Sequence, residues 1–151
     1  GVGAAFALAC DLRVMSDKSA ILYAFVNIGL GPDGGASWLL SRQVGYSKAF
    51  EIAISGKKVM GQECLELGLT NRVVENEEIL NDAMDWAKEL AKRPTLAIGI
   101  TKEDIVHSMN NDLNSTIAFE AERQVLAFKS HDLKEGVTAF IEKRKPNFKG
   151  E

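Results

Sequence analysis

Two glycine-bearing stretches of the sequence hold the residues that could do chemistry. The first, GVGAAFALACD at residues 1–11, starts with small residues and continues with good helix formers. It predicts a helix whose first N–H groups lack intrahelical acceptors, an end that can hold negative charge. The amide of Val2 or Gly3 could therefore stabilise an oxyanion. Alternatively, Gly1 and Gly3 only let the helix begin close to another backbone.

The second stretch is GLGPDGG at residues 29–35, which places Asp33 between a proline and two glycines. An aspartate at such a turn is most often an N-cap, here for a helix that begins at Gly34. The other interpretation is a proton carrier, because apolar neighbours would remove water and raise the pKa of Asp33 towards neutrality. Those neighbours are Phe25, Ile28, Leu30 and Trp38.

A third group is cationic and lies near the end of the chain. Lys143, Arg144 and Lys145 follow a helical pattern that contains Phe140. Cations at a helix C-terminus are usually solvated and favoured by the macrodipole. The alternative is a site in which they hold the phosphates of a nucleotide-bearing ligand while the aromatic ring lies on its base.

Composition excludes several classes of protein. The net charge of −3 and a pI near 5.5 argue against a nucleic-acid partner. No apolar run is long enough for a membrane span and no basic leader opens the sequence, so we expect no membrane association and a cytoplasmic location. The Gly1-x-Gly3 spacing does not complete a dinucleotide-binding fingerprint, since Phe6 occupies the third small position.

The cysteines and histidines give no pattern of a metal site. Cys10 and Cys64 lack disulfide or ligand spacing and are predicted to be reduced, buried, small hydrophobic residues. His107 and His131 stand in polar helical stretches, far apart in sequence, and are predicted at the surface. We therefore expect no metal.

The elements that would position these groups are unevenly distributed. Two short strands, 12–15 and 20–25, precede a helical majority, and Gly45 separates two further helices. The predicted helices are 34–44, 46–55, 61–69 with Gly68 as its stop, 77–92, 94–110, 112–129 and 132–143, with a brief strand at 72–74. So little sheet suggests a fragment of a larger α/β protein.

Taken in order, these stretches resemble the crotonase superfamily, the enoyl-CoA hydratase/isomerase family. The matching segments are GVGAAFALACDLRV, IGLGPDGGASWLLSRQVG, SGKKVMGQECLELGLTNRVV and EGVTAFIEKRKPNFKGE. Within the family, YAFVNIGLGPD is most similar to the ring-epoxide isomerases of aerobic phenylacetate breakdown, which act on 1,2-epoxyphenylacetyl-CoA. The resemblance covers essentially the whole chain.

The resemblance implies a mixed α/β fold built as a spiral of ββα turns. Residues 1–75 would form the C-terminal part of the spiral core, and residues 76–151 a helical region for trimerisation and for covering coenzyme A. It also implies a homotrimer or a hexamer made as a dimer of trimers. The substrate would be an acyl-CoA thioester, with no separate cofactor.

Roles for individual residues follow from the same resemblance. The Val2 amide would be one of two oxyanion donors, the other belonging to sequence ahead of Gly1. Asp33 falls where dienoyl and ring-epoxide isomerases place their acid/base aspartate, which reverses the preference for a capping role. The two glutamate positions of hydratases correspond to Ala5 and Phe25, neither of which can transfer a proton. We place Gly1, Gly3, Phe25, Gly34, Phe140 and Lys143 in substrate binding, the last two near adenine and phosphates.

The sequence therefore predicts an acyl-CoA isomerase that works through a thioester enolate, with Asp33 relaying the proton. One alternative is a hydratase, a lyase of fatty acid metabolism, that uses acids from sequence outside this chain. The other is a catalytically silent module for acyl-CoA binding or oligomerisation. We expect residues 1–151 alone to be inactive, since half of the oxyanion hole would be absent.

Overall fold

The computed structural model describes all residues, Gly1–Glu151. Internal contacts divide the chain into two compact units, Gly1–Met84 and Asp85–Glu151. This division falls within a helix, Ile79–Ala91, whereas the predicted boundary at 75/76 precedes that helix. Each unit is described by itself below.

The first unit alternates short strands with helices. Its helices are α1 (Val2–Ala9), α2 (Ala36–Ser55), α3 (Gly61–Glu66) and the first part of α4 (Ile79–Ala91). Its strands are β1 (Val14–Ser16), β2 (Ala20–Leu22), β3 (Lys58–Met60) and β4 (Arg72–Val74), and 3₁₀ turns occupy Phe25–Ile28 and Asn76–Glu78. The fold class is mixed α/β, as predicted.

The strands form two separate two-stranded sheets. β1 pairs with β4 in parallel, with Val14 opposite Arg72, and β2 pairs with β3 in antiparallel orientation, with Ile21 opposite Val59. β1 and β2 are consecutive, as predicted, but they do not pair with each other, and each pairs with a strand later in the chain. β3 was not predicted, because its pairing with β2 joins residues that are far apart in the sequence.

The core of the first unit lies between α1, α2 and the strands. Ala5 and Leu8 are three residues apart, so they occupy the same side of α1, and both are buried. Burying a side chain such as Leu8 contributes about 1.5–3 kcal/mol. The other large side chains that are fully buried in this unit are Tyr23, Leu40, Cys64 and Leu69.

The two cysteines differ in exposure. Cys64 is buried, as predicted, and its thiol donates a hydrogen bond of 3.3 Å to the Val59 carbonyl. The prediction for Cys10 was wrong, since this residue is exposed. It is the C-cap of α1, where extended backbone ends the helix, so the apolar periodicity of the helix no longer sets the direction of its side chain.

Gly45 breaks α2 where the sequence predicted it. Its φ of 75° and ψ of 168° lie outside the helical region and separate two helical halves. A positive φ is strained for any residue with a Cβ atom. The kink therefore requires glycine.

The second unit is helical. It comprises the rest of α4, then α5 (Thr95–Ser108), α6 (Leu113–Lys129) and α7 (His131–Glu142). The carboxylate of Asp112 accepts a hydrogen bond of 3.0 Å from the Ser115 amide, and the hydroxyl of Ser130 accepts one of 3.0 Å from the Leu133 amide. These N-caps explain why α6 and α7 begin within a residue of their predicted starts. None of the helices in the chain combines the length and the hydropathy that a membrane span requires.

His107 departs from its predicted surface position. It is half-buried, and its ring stacks on Phe119 at 4.1 Å between centroids and 2° between planes. Its Nε2 lies 3.3 Å from the Ser115 hydroxyl. The flat face of the His107 ring is thus part of the packing between α5 and α6, although the sequence pattern predicted that this ring is solvent-exposed. His131 is exposed, as predicted.

The residues after α7 are fastened to the start of that helix. The carboxylate of Asp132, which is 3% exposed, accepts hydrogen bonds from the amides of Lys149 (2.7 Å) and Gly150 (2.8 Å). Burial works to raise the pKa of Asp132, but these two amides and His131 together lower it. The tail, residues 144–151, is therefore held by ionised carboxylate.

Candidate active site

Helix α1 presents free donors at its N-terminus. Gly1 is its N-cap, and the Gly1 carbonyl accepts from the Ala4 amide at 2.9 Å. The amides of Val2 and Gly3 lie in the first turn, where the helix offers no acceptor. Nothing stands within 4 Å of a Cβ atom built on Gly1 or Gly3, so close backbone approach within this chain does not explain these glycines.

Both ends of α1 are tied to other elements. At the start, the Gly1 nitrogen donates a hydrogen bond to the Leu22 carbonyl at the end of β2. At the other end, the Arg13 guanidinium donates to the Cys10 carbonyl, and its Nε donates to the Leu69 carbonyl at 2.7 Å. Its Nη2 also donates to Gln43 of α2 at 3.0 Å. Both ends of the helix are thereby fixed in position.

Sequence reasoning missed Arg13. A cation a few residues past a helix end can hydrogen-bond the last carbonyls and offset the negative end of the macrodipole. This spacing was visible in the sequence. Its other acceptors come from distant elements and could not be found that way.

Asp33 lies in the loop between the Phe25–Ile28 turn and α2. The alternative interpretation of Asp33 as a side-chain N-cap is wrong: the N-cap of α2 is Gly35, and no side chain caps the helix. The Asp33 backbone carbonyl instead accepts from the Ala36 amide at 3.0 Å. Gly34 and Gly35 have φ values of 61° and 79°, so the chain turns here through the left-handed region.

Asp33 is also exposed within this chain, which contradicts the predicted dry environment. The reason lies in the neighbours that sequence reasoning relied on. Phe25 is buried in the core, while Ile28, Leu30 and Trp38 are themselves exposed and do not enclose the carboxylate. Residues 1–151 alone do not desolvate Asp33.

The Asp33 loop nevertheless lies against the start of α1. A Cβ atom built on Gly34 would come 3.0 Å from Cγ2 of Val2 and 3.9 Å from Cβ of Ala5. The residue next to Asp33 therefore contacts the residue whose amide is the predicted oxyanion donor. The structure brings Gly34 to the start of α1, where Gly1, Val2 and Gly3 lie, and Asp33 immediately precedes Gly34 in the chain.

An apolar cavity of about 490 Å³ lies on the other side of the same loop. We call it the α2 cavity. One wall is the segment Leu30–Pro32, which leads directly into Asp33, and the opposite wall is α2, with Tyr46 and Phe50. Its size is within the usual range for small-molecule sites.

Tyr23 forms part of the base of the α2 cavity and fixes the start of α2. Its hydroxyl donates to the Ala36 carbonyl at 3.1 Å, and burial raises the pKa of Tyr23 to about 12. Phe25 packs edge-on against Tyr23, with ring centroids 6.1 Å apart. Phe25 and Ala5 are both buried, and neither side chain can carry a proton.

Phe140 and Lys143 belong to the second unit. Phe140 is 85% exposed and borders an apolar cavity of about 440 Å³ together with Phe148. Lys143 is exposed and is the C-cap of α7, with a φ of 54°. Arg144, which the sequence grouped with it as a phosphate ligand, is instead engaged by the carboxylates of Glu135 and Glu142.

No group of three or more histidine, cysteine, aspartate or glutamate side chains that could hold a metal ion occurs in the chain.

Comparison with known proteins identifies relatives along the whole chain. The family model described as enoyl-CoA hydratase/isomerase matches residues 1–151. The chain is 35% identical over 150 residues to the 1,2-epoxyphenylacetyl-CoA isomerase of Escherichia coli, covering 99% of this chain and 57% of that protein. It is 34% identical over 145 residues to the short-chain-enoyl-CoA hydratase of Clostridium acetobutylicum, covering 96% and 56% respectively.

Solved structures agree with this assignment. The crystal structure of an enoyl-CoA hydratase from Mycobacterium tuberculosis matches with a TM-score of 0.92 and 33% identity, over 99% of this chain and 59% of that one. The predicted mixed α/β fold of the crotonase type is thus confirmed. The chain spans somewhat more than half the length of each of these relatives.

Proposed function

Since the chain belongs to the enoyl-CoA hydratase/isomerase family, we propose that it acts as an acyl-CoA isomerase. The start of α1 holds the thioester oxygen as an enolate, and Asp33 relays the proton. The observation that supports the proposal is the contact between Gly34 and Val2, because it brings the backbone next to Asp33 against the start of α1.

Two groups of this chain take part in the proposed reaction, and the second oxyanion donor would come from sequence ahead of Gly1. Asp33 takes a proton from a carbon near the thioester carbonyl, and the electron pair moves onto the carbonyl oxygen. The Val2 amide, at the positive end of α1, stabilises that charge by about 3–4 kcal/mol, as single donors do in comparable sites. Asp33 then returns the proton to another carbon or to an epoxide oxygen, so nothing is gained or lost overall.

The exposure of Asp33 is compatible with this role. A thioester bound at the Val2 amide would cover the neighbouring carboxylate and exclude water from it. Loss of hydration would then destabilise the charged carboxylate and make it a better base. Desolvation would thus come from the substrate and from the rest of the protein, rather than from residues 1–151.

Hydration is the second candidate, because several relatives carry the name enoyl-CoA hydratase. It requires acid and base groups on the attacking water. Ala5 and Phe25, which by resemblance occupy the glutamate positions of hydratases, supply neither. A hydratase would have to take its acids from outside this chain.

Phe140 and Lys143 are proposed to bind coenzyme A, the ring lying on the adenine and the ammonium pairing with a phosphate. Their exposure supports this, since neither side chain is used in packing or in an ion pair of its own unit. By the same resemblance, the protein is proposed to assemble as a homotrimer or a dimer of trimers. Sedimentation equilibrium would test that state.

The proposed mechanism is tested in the complete protein with Asp33→Asn, which keeps the size of the side chain and removes its basicity. We expect loss of isomerase turnover and of deuterium exchange at the substrate carbon in D₂O, with thioester binding retained. Asp85→Asn, at an exposed ion pair with Lys88, is the matched control and should change neither. Unchanged turnover in the Asp33 variant would remove this residue from the mechanism.

The alternatives give different results in the same assay. Incorporation of ¹⁸O from labelled water into the product would indicate hydration. Binding of the thioester with neither turnover nor exchange, in every preparation of the wild-type protein, would indicate a silent binding module.

A further inference from the structure

Tyr23 brings a hydroxyl group into the core of the first unit. The residue is only 1% exposed, and its hydroxyl donates a hydrogen bond of 3.1 Å to the Ala36 carbonyl. A buried hydroxyl costs free energy unless it has a partner, and phenylalanine would fill nearly the same space without that cost. The hydroxyl is therefore best explained by the group that it holds.

That group is the end of the Asp33 loop, residues 29–35. Ala36 is the first residue of α2 and is fully buried. Its amide donates a hydrogen bond of 3.0 Å to the backbone carbonyl of Asp33. The Tyr23 hydroxyl and the Asp33 carbonyl thus bind the same residue, one at its carbonyl and the other at its amide. Two hydrogen bonds in series connect the core to the backbone of Asp33.

The ring of Tyr23 supports the beginning of the same loop. It packs edge-on against the buried ring of Phe25, with centroids 6.1 Å apart. The Phe25 carbonyl in turn accepts a hydrogen bond of 3.0 Å from the Leu30 amide. Tyr23 therefore acts on both ends of the Asp33 loop, through Phe25 at one end and through Ala36 at the other.

The Asp33 carboxylate depends on this support of its backbone. Its side chain is exposed, and the two residues that follow are Gly34 and Gly35, both with positive φ. Glycine restricts the backbone least, so the loop residues themselves do little to fix the carboxylate. A group that transfers a proton has to be held close to its productive geometry, and a displacement of about 1 Å can cost a large factor in rate.

We propose that Tyr23 is a positioning residue for the proton transfer. Through Ala36, its hydroxyl holds Asp33 where the carboxylate reaches the reacting carbon of the thioester. Tyr23 itself transfers no proton and acts only through the loop. This inference rests on the proposed function, because it assumes that Asp33 carries the proton.

Tyr23→Phe in the complete protein tests the inference, since it removes the hydroxyl and keeps the ring against Phe25. The substrates are 3-hexenoyl-CoA and 1,2-epoxyphenylacetyl-CoA, and the kinetics are measured with whichever the wild-type protein isomerises. We expect kcat to fall about three- to thirtyfold while KM stays within about twofold of the wild type. The dissociation constant for hexanoyl-CoA, which has no double bond to move, should also stay within about twofold.

Thr116→Val is the matched control. Thr116 is also buried, and its hydroxyl donates a hydrogen bond of 2.9 Å to the Asp112 carbonyl in the second unit. Both variants lose one buried hydroxyl, so both should have lower melting temperatures, but only Tyr23→Phe should lower kcat. Circular dichroism would establish that both fold. Hydrogen exchange followed by mass spectrometry should become faster at residues 30–36 in Tyr23→Phe alone.

The outcomes separate the two proposals. If Tyr23→Phe has the kcat of the wild type while Asp33→Asn abolishes turnover, the inference is overturned and the proposed function stands. Equal losses of kcat in Tyr23→Phe and Thr116→Val, or a higher KM with an unchanged kcat, would also overturn the inference. If the wild-type protein isomerises neither substrate, or if Asp33→Asn keeps full turnover, the proposed function fails and the inference fails with it.

Discussion

The backbone of Gly34 lies against the side chain of Val2, and a Cβ atom on Gly34 would approach Cγ2 of Val2 to 3.0 Å. Gly34 also has a φ of 61°, in the left-handed region. Two independent constraints therefore exclude a side chain at this position. Both serve to keep the Asp33 loop close to the start of α1.

Gly34→Ala should destabilise the protein by about 1–2 kcal/mol, because alanine is strained at positive φ and its methyl group presses on Val2. For a chain of this size each kcal/mol lowers the melting temperature by about 2–4 °C, which thermal unfolding followed by circular dichroism would measure.

Gly99→Ala provides the opposite control. Gly99 lies inside α5, and no atom lies within 4 Å of the Cβ position. Alanine there should stabilise the protein by about 0.8–1 kcal/mol through helix propensity alone. A melting temperature that rises in both variants would show that the Gly34–Val2 contact imposes no constraint.

Arg13→Met should cost about 2–3 kcal/mol of unfolding free energy. The substitution keeps much of the side-chain volume but removes the charged donors to the carbonyls of Cys10 and Leu69. Urea unfolding would measure the loss. Arg93→Met, at an exposed arginine, is the control and should stay within about 0.5 kcal/mol of the wild type. Equal effects in the two variants would contradict a role for Arg13 in fixing α1.

Stability in acid should depend on Glu135. Its hydrogen bonds with Arg144, and secondarily with the Asn147 amide, lower the pKa of Glu135 to about 2. A folded-state pKa below the unfolded value means that the stabilisation is complete above about pH 4.5 and is lost as the pH falls towards 2. Melting temperatures of the wild type should fall across this interval.

Glu135→Gln should show less of this acid-dependent loss and a lower melting temperature at neutral pH. Glu142→Gln, which removes the other carboxylate on Arg144, should keep the wild-type dependence on pH. If the pH profiles of all three proteins have the same shape, the Glu135–Arg144 pair is not what holds the tail.

The two thiols should react at very different rates with a thiol-specific reagent. Cys10 is exposed, whereas Cys64 is buried and burial raises the pKa of its thiol. We expect one thiol per native chain to react quickly and the second only after unfolding. Cys10→Ser should abolish the fast reaction. Two fast thiols in the wild-type protein would mean that the core around Cys64 opens readily.

Local signals predicted much of the helical structure. Asp112 preceding an apolar run marked the start of α6, and Gly45 and Gly68 marked breaks that the structure confirms. These residues act on neighbouring backbone groups. A short stretch of sequence is therefore sufficient to predict where these helices begin or end.

Features that depend on distant residues were missed. β3 forms because Val59 pairs with Ile21 of the distant strand β2. The role of Arg13 depends on hydrogen-bond acceptors at the end of α1, in α2 and at Leu69. The exposure of Asp33 could not be inferred from apolar neighbours in sequence, since their side chains point into the core or into water. The resemblance predicted which residues form the site, and the fold shows that Gly34 and Val2 are in contact.

The parallel pairing of β1 with β4 has a consequence for how the chain acquires its shape. Val14 can pair only with Arg72, which is far along the chain. The β1–β4 ladder therefore forms only after the long segment between these residues has closed into a loop. Such non-local pairing slows folding and leaves strand edges unsatisfied in the meantime. The emerging polypeptide thus carries an open backbone edge from the synthesis of β1 until β4 has been made, a period in which chaperone capture would compete with aggregation.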